Sequence, residues 1–214
     1  MMPYKSVFIK MFSFLLKKPL TQQFGKELTK SSLKKAPAIY KSLLEKTEDI
    51  GADNPMASNT YMCYVFFAIW KAADGKMDPD GMKKVSLKFM ESKFAKKMFG
   101  KRNMNIPEDY AKGREKMEKA KAWADAHPEY KDKTWDINFD DNKHKDGYFY
   151  YFTRCPIEKF ARENGFMEIL PVCCDLDHLL TKANHGVLHR DYTLSRDGSM
   201  CDYWVVPDQI TNPQ

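Results

Sequence analysis

One long apolar segment constrains the fold of this chain more than any other feature. Residues 56–73, MASNTYMCYVFFAIWKAA, contain no charged side chain before Lys71. A run of this length exceeds a typical strand and favours a buried helix. Nowhere does the chain contain the roughly 18 consecutive uncharged apolar residues that a membrane-spanning helix needs. The segment therefore predicts a helix at the centre of a protein core.

Lysine-rich segments surround this run and predict further helices. They cover residues 4–18, 21–50, 78–99 and 107–126. Apolar side chains recur in them at helical spacing. Pro19 predicts the end of the first helix and Gly100 a cap on the helix over 78–99, while residues 21–50 predict one or two helices around Pro37. Residues 1–130 are therefore expected to form a helical region.

The pattern changes after position 130. Trp135, Ile137 and Phe139 alternate with polar residues, which is typical of a strand. The predicted strands are residues 133–141, 148–154, 187–195 and 200–206, and the predicted helices run from Pro156 to Gly165 and over 171–185. We predict an α+β fold: a helical N-terminal part, then in 131–214 a mostly antiparallel sheet with two helices, together forming one compact domain.

Charge and motif content exclude several classes of protein. Most cations of residues 1–130 are lysines among helix formers, whereas base recognition favours arginine, so we expect no nucleic-acid partner. No phosphate-binding glycine loop, serine-hydrolase elbow or H-E-x-x-H motif occurs. The N-terminus fits an amphipathic helix better than a signal peptide, and that helix could support a homo-oligomer. We expect no membrane partner.

The reactive residue types are concentrated late in the chain. All five His and four of the 5 Cys follow position 126. An odd number of unevenly spaced cysteines is typical of a reducing compartment, so a cytoplasmic protein is predicted. On a helix over 171–185, the side chains of Cys174, Asp177 and His178 share one side, and His185 would join them about three turns later.

Spaced motifs in this region resemble the L-2-amino-thiazoline-4-carboxylic acid hydrolase family. They are T-R-C-P at 153–156, P-x-x-C-x-x-D at 171–177 followed by His185, R-x-x-T-L at 190–194, and C-D-aromatic at 201–203. Two positions depart from the family pattern. Tyr203 stands where the family usually has Phe, and Gly198 stands beside the position, Asp197, where a Gly is usual.

The resemblance implies hydrolysis of a small cyclic amidine acid at a carbon–nitrogen bond, giving a carbamoyl-cysteine type product. The substrate is a small molecule, and no cofactor is implied. Three residues would then be catalytic: Cys174 as a nucleophile, Asp177 as a water-activating or amidinium-binding group, and His185 as an acid or base. Substrate-binding roles fall to Arg154, Arg190 and Asp202, and site-lining roles to Cys155, Cys201 and Thr193.

Three alternatives stay open at this point. The nucleophile can be the Cys174 thiolate or a water held on Asp177. The fold can serve instead as a non-catalytic binding or sensing module with an aromatic pocket drawn from Tyr148, Phe149, Tyr150, Tyr151 and Trp204. Cys155, Cys174, Cys201 and His185 could in principle form a zinc site, but they lack the short spacings of a typical one, so no metal is predicted.

Overall fold

The structure, a computed structural model, describes residues 1–211 and 213–214. The helices are α1 (Ser6–Phe24), α2 (Lys26–Lys46), α3 (Ala57–Ala72), α4 (Pro79–Met90), α5 (Lys93–Phe99), α6 (Pro107–Ala126), α7 (Pro156–Asn164) and α8 (Leu170–Ala183). The strands are β1 (Asp136–Phe139), β2 (Tyr148–Arg154), β3 (Gly186–His189) and β4 (Cys201–Pro207). The predicted α+β class, helical first and antiparallel later, is confirmed.

Helix α3 is the buried centre that the apolar run predicts. Tyr64, Val65, Phe67 and Ile69 on it have no appreciable solvent exposure. Helices α1 and α2 pack against it, and α8 contacts it from the C-terminal region. None of the helices among the described residues is both long enough and apolar enough to cross a membrane.

Pro19 does not end the first helix, as the sequence predicts, but lies inside α1. Of the one or two helices expected around Pro37, the structure has one, α2, with Pro37 inside it. A proline removes one backbone hydrogen bond from a helix, but Pro19 and its neighbour Leu20 are buried, and this packing offsets the loss. The break between the two helices falls instead at Gly25, whose φ of 83° an L-residue rarely adopts.

The predicted helix over 78–99 is two helices. Asp78 caps the first of them, α4, and accepts a hydrogen bond of 2.7 Å from the Gly81 N–H. Ser92 caps the second, α5, and accepts one of 3.1 Å from the Ala95 N–H. A serine cap satisfies an N–H group that would otherwise lack a partner, so it starts a new helix within a continuous apolar pattern.

The four strands form one antiparallel sheet in the order β1-β2-β4-β3. Tyr150 of β2 lies opposite Tyr203 of β4, and their rings stack at 4.6 Å. The predicted strand 187–195 is too long, because β3 ends at His189. The chain leaves the sheet there because the Asp202 side chain, and not a neighbouring strand, binds the next backbone N–H groups.

A single hydrophobic cluster contains residues of both the helical region and the sheet region. Phe12 and Phe67 belong to it from the first region, and Phe152 and Val205 from the second. Helix α8 lies where the two regions meet, since it contacts α4 and α3 as well as β3. This position brings polar side chains of α8 against both β4 and the central helix.

Candidate active site

A small cavity of about 130 Å³ lies where α3, α4, α8 and β4 meet. Most of its wall is apolar, including Phe66, Phe89, Trp135 and Phe152. All of the cysteines also line it, at positions 63, 155, 173, 174 and 201. Its polar lining is sparse and consists of Asn59, Glu158, Asp177, Ser195 and Tyr203. An apolar cavity with a few polar groups on one side is typical of a small-molecule site.

Asp177 is the polar group that the surroundings fix most firmly. Its Oδ2 accepts a hydrogen bond of 3.0 Å from Arg190 Nη2 and another of 3.0 Å from the Tyr203 hydroxyl. Its Oδ1 accepts none from the residues that the structure describes. The side chain remains 37% exposed and lines the cavity. One oxygen is therefore held in place while the other is open to a ligand or a water molecule.

Arg190 acts behind this carboxylate. Its side chain is only 3% exposed. Besides Asp177, it donates from Nη1 to the Cys174 carbonyl at 3.1 Å and from Nε to the Asp202 carbonyl at 3.2 Å. Burial opposes its charge, but the Tyr203 ring and the Asp177 carboxylate hold its pKa above the ordinary value. These contacts favour orientation of Asp177 over capture of a substrate carboxylate.

Asp202 has a different set of contacts from the substrate-binding role predicted for it. The side chain is buried and accepts the backbone N–H groups of Asp191, at 3.0 Å, and Tyr192, at 2.6 Å. Both of its oxygens are therefore used inside the protein. The contacts fix the loop that begins at Arg190, so Asp202 supports the site from behind.

The thiols predicted at the site, those of Cys155, Cys174 and Cys201, do meet at the cavity. Burial raises the pKa of Cys174 well above its ordinary value, although Ser195 acts against it. Burial also raises the pKa of Cys155 to about 12, and that of Cys201. These thiols therefore stay protonated near neutral pH, and a thiol in that form is a poor nucleophile.

Arg154 and Thr193 lie away from the cavity. Arg154 Nε donates to the Thr134 carbonyl at 3.0 Å and Nη2 donates to the Lys131 carbonyl, so this arginine holds the segment before β1. Thr193 is buried, and its hydroxyl shares a hydrogen bond of 2.9 Å with Ser195. Thr193 therefore reaches the cavity only through Ser195.

The histidines do not join Cys174 and Asp177. Helix α8 ends at Ala183, so His185 leaves the helical stripe and adopts a φ of 58°. Its side chain is 58% exposed, with Nδ1 3.4 Å from a carboxylate oxygen of Asp208. His178 faces a separate surface cleft. The sequence predicted that His185 shares one helix face with Cys174 and Asp177, but α8 ends before it reaches His185.

The described residues contain no group of three or more His, Cys, Asp or Glu side chains placed to hold a metal ion.

The five aromatic residues of the predicted binding pocket do not line the cavity, which is lined by other aromatic side chains. Sequence reasoning also missed lining residues. Tyr203 could have been found from strand periodicity, since it lies two residues after Cys201 and points to the same face. No sequence pattern could have placed Cys63 at the cavity, because it belongs to α3, far along the chain from the other lining cysteines.

Comparison with known families gives one match. The family model described as L-2-amino-thiazoline-4-carboxylic acid hydrolase matches residues 58–205. The match extends from the start of α3 to β4 and so includes Cys174, Asp177, Arg190 and Tyr203. No curated protein and no solved structure matches the chain.

Proposed function

Because the chain belongs to the L-2-amino-thiazoline-4-carboxylic acid hydrolase family, we propose that it is a hydrolase that opens a small cyclic amidine at a carbon–nitrogen bond. The observation that carries the proposal is the half-open carboxylate of Asp177. Arg190 and Tyr203 hold Oδ2, while Oδ1 has no partner among the described residues, and the Asp177 side chain lines the cavity. A carboxylate so held can accept a proton at one defined position.

The proposed reaction uses water as the nucleophile. Asp177 Oδ1 takes a proton from water while the water oxygen bonds to the amidine carbon. The ring carbon–nitrogen bond then breaks as Asp177 returns this proton to the leaving nitrogen. The remaining hydroxyl proton of the added water also passes to that nitrogen, and the carbon becomes a carbonyl. Arg190 and the Tyr203 hydroxyl keep their hydrogen bonds to Oδ2 throughout, so the base does not have to reorient between the two proton transfers.

Water attack fits the cavity better than attack by Cys174. The pKa of Cys174 is raised because the thiol is buried, and no cation among the described residues contacts its sulfur. The neighbouring positive charge, on Arg190, binds the Cys174 carbonyl instead. Thiolate chemistry usually depends on a nearby cation or a helix N-terminus that lowers the pKa. We therefore assign the thiols of this site to the wall.

Turnover of L-2-amino-thiazoline-4-carboxylate and of related cyclic amidines, followed by chromatography and mass spectrometry, tests the proposal. Asp177→Asn should lower kcat/KM by roughly 100-fold to 10,000-fold, since general base catalysis contributes about that much. Cys174→Ala should stay within about tenfold of the wild type if the nucleophile is water. Loss of activity in Cys174→Ala with intact folding would reverse this assignment.

A matched control comes from the same helix. Asp175 is two residues before Asp177, but it binds Lys83 and Arg196 on the other side of α8. Asp175→Asn makes the same chemical change outside the cavity, so kcat/KM should be unchanged. Equal losses in Asp175→Asn and Asp177→Asn would indicate that α8 is being destabilised and would contradict the catalytic role.

A binding or sensing module is the second candidate, and one observation favours it. The cavity wall is mostly apolar, and its thiols are protonated. Such a cavity can hold a small ring without reacting with it. Saturable binding of a cyclic amidine with no product would support this function over hydrolysis. In either case the free cysteines support our expectation of a reducing, cytoplasmic location.

A further inference from the structure

The ionised groups of the cavity wall all have the same sign. Asp177 and Glu158 line the cavity, whereas no Lys, Arg or His of the described residues does. Glu158 is bound by Arg162 on the outside, at 2.7 Å. A ligand in this cavity therefore meets carboxylates but no positively charged side chain.

Nearby cations are committed elsewhere. Arg190 lies behind Asp177, and each of its three nitrogens already donates a hydrogen bond within the protein. Arg154 binds two backbone carbonyls beside another pocket. Lys116 on α6 interacts electrostatically with Asp177, but its side chain does not line the cavity. A ligand carboxylate would therefore be buried without a charged partner, which is strongly unfavourable.

The size of the cavity is suited to a single small ring. Its volume of about 130 Å³ is close to the ~150 Å³ of an apolar protein cavity known to hold one benzene molecule. A five-membered ring with one amino substituent has as many non-hydrogen atoms as benzene. The cavity can therefore hold a ring of this size.

We infer that this site takes a small cyclic amidine without an acidic substituent, and that the carboxylate of the family's namesake compound is excluded by charge. The inference rests on the proposed function for its turnover, but its charge argument applies to binding alone. The simplest ligand of this class is 2-amino-2-thiazoline, the same ring without the carboxylate. Its amidine N–H groups can donate to the open Oδ1 of Asp177.

The reaction of this ring is balanced by one water molecule. The water oxygen bonds to the ring carbon between sulfur and nitrogen, and the bond from that carbon to the ring nitrogen breaks. The leaving ring nitrogen takes up both protons of the water and becomes a primary amine, while the ring carbon becomes a carbonyl. The product is S-carbamoyl cysteamine, which is heavier than the substrate by one water and contains no free thiol. Breaking the carbon–sulfur bond instead would release a thiol.

The test compares 2-amino-2-thiazoline with L-2-amino-2-thiazoline-4-carboxylate on the full-length wild-type protein. Calorimetry gives the two dissociation constants, and mass spectrometry with a thiol reagent gives turnover and the bond that breaks. We expect the carboxylate compound to bind about 100-fold more weakly, since a buried unpaired charge costs at least that much. Binding decides the charge inference, while turnover decides the hydrolase proposal.

A variant on the cavity wall provides the converse test. Asn59 of α3 lines the cavity, and its side chain makes no hydrogen bond among the described residues. Asn59→Lys adds a positive charge to the wall and should improve binding of the carboxylate compound by about tenfold relative to the ring without a carboxylate. Asn59→Met introduces a side chain about as long as that of lysine but without its charge. It should leave the preference between the two ring compounds unchanged.

Each outcome is decisive. Tighter binding of the ring without a carboxylate, with the preference reduced only in Asn59→Lys, supports the inference whether or not either compound is turned over. Equal or tighter binding of the carboxylate compound overturns it, even if that compound is hydrolysed and the proposed function stands. Binding of neither ring also overturns it. Turnover of neither ring, despite binding, removes the hydrolase proposal for these compounds alone.

Discussion

Replacing Arg190 is the most direct test of how the site is held together. Arg190→Met keeps an unbranched apolar side chain but removes the guanidinium. Three hydrogen bonds disappear, to Asp177 Oδ2 and to the carbonyls of Cys174 and Asp202. The stacking of the guanidinium on Tyr203, with the central carbon 4.0 Å from the ring centre, is lost as well.

The magnitude follows from burial. Removing one partner of a buried ion pair costs about 3–5 kcal/mol. The Arg190 side chain is 3% exposed, but Asp177 is 37% exposed, so water can partly solvate the remaining carboxylate. We therefore expect the lower end, about 3 kcal/mol. For a chain of this length each kcal/mol lowers Tm by about 2–4 °C, so Tm should fall by roughly 6–12 °C.

Thermal unfolding followed by circular dichroism measures the effect, and Arg162→Met is its matched control. Arg162 also contacts carboxylates, those of Glu158 and Asp197, at 2.7 and 3.1 Å. Its side chain is 53% exposed, and exposed pairs add little to stability, so Tm should hardly change. Equal Tm shifts in the two variants would refute the argument that burial makes the Arg190 contacts strong.

Three further predictions concern the site residues themselves. Tyr203→Phe removes one hydrogen bond to Asp177 but keeps the ring. We expect kcat/KM to fall about 10-fold to 100-fold with little change in Tm. Unchanged kinetics would show that Oδ2 of Asp177 does not need this hydrogen-bond donor. His185→Gln should leave kcat/KM within about twofold, because the side chain pairs with Asp208 outside the cavity, and a large loss would reinstate its predicted catalytic role. Burial raises the pKa of Cys174, so its alkylation by iodoacetamide at pH 8 should be much slower in the folded protein than after unfolding. In the folded protein the alkylation rate should keep rising above pH 9. Rapid, pH-independent alkylation would indicate a thiolate.

Local pattern predicted the elements well wherever burial alone decides them. The apolar run at 56–73 became α3, and the alternating aromatic residues of 148–154 became β2. The errors came where tertiary contacts override local preference. Pro19 remains inside a helix because it packs in the core, and the strand after Gly186 ends early because Asp202 takes its backbone partners.

The site was predictable as a set of residues but not as a set of roles. Spacing on α8 placed Cys174 and Asp177 on the same wall, as the structure has them. Residue type suggested that Arg190 and Asp202 would bind substrate, whereas the structure turns both toward the protein. A sequence cannot show which hydrogen-bond partners an arginine has, because they come from distant elements.

The arrangement behind Asp177 shows how this chain could position the proposed base without a histidine. Asp202 fixes the loop after β3 through two backbone N–H groups, and that loop starts with Arg190. Arg190 then links α8 to β4 through the Cys174 and Asp202 carbonyls and holds one oxygen of Asp177. The other oxygen has no partner among the described residues. Since interactions of buried charges are strong, a base fixed in this way has little freedom to reorient, and it can accept a proton from a water held at one position. The nearby positive charge, that of Arg190, holds the proposed base, and no Lys, Arg or His among the residues that the structure describes lines the cavity.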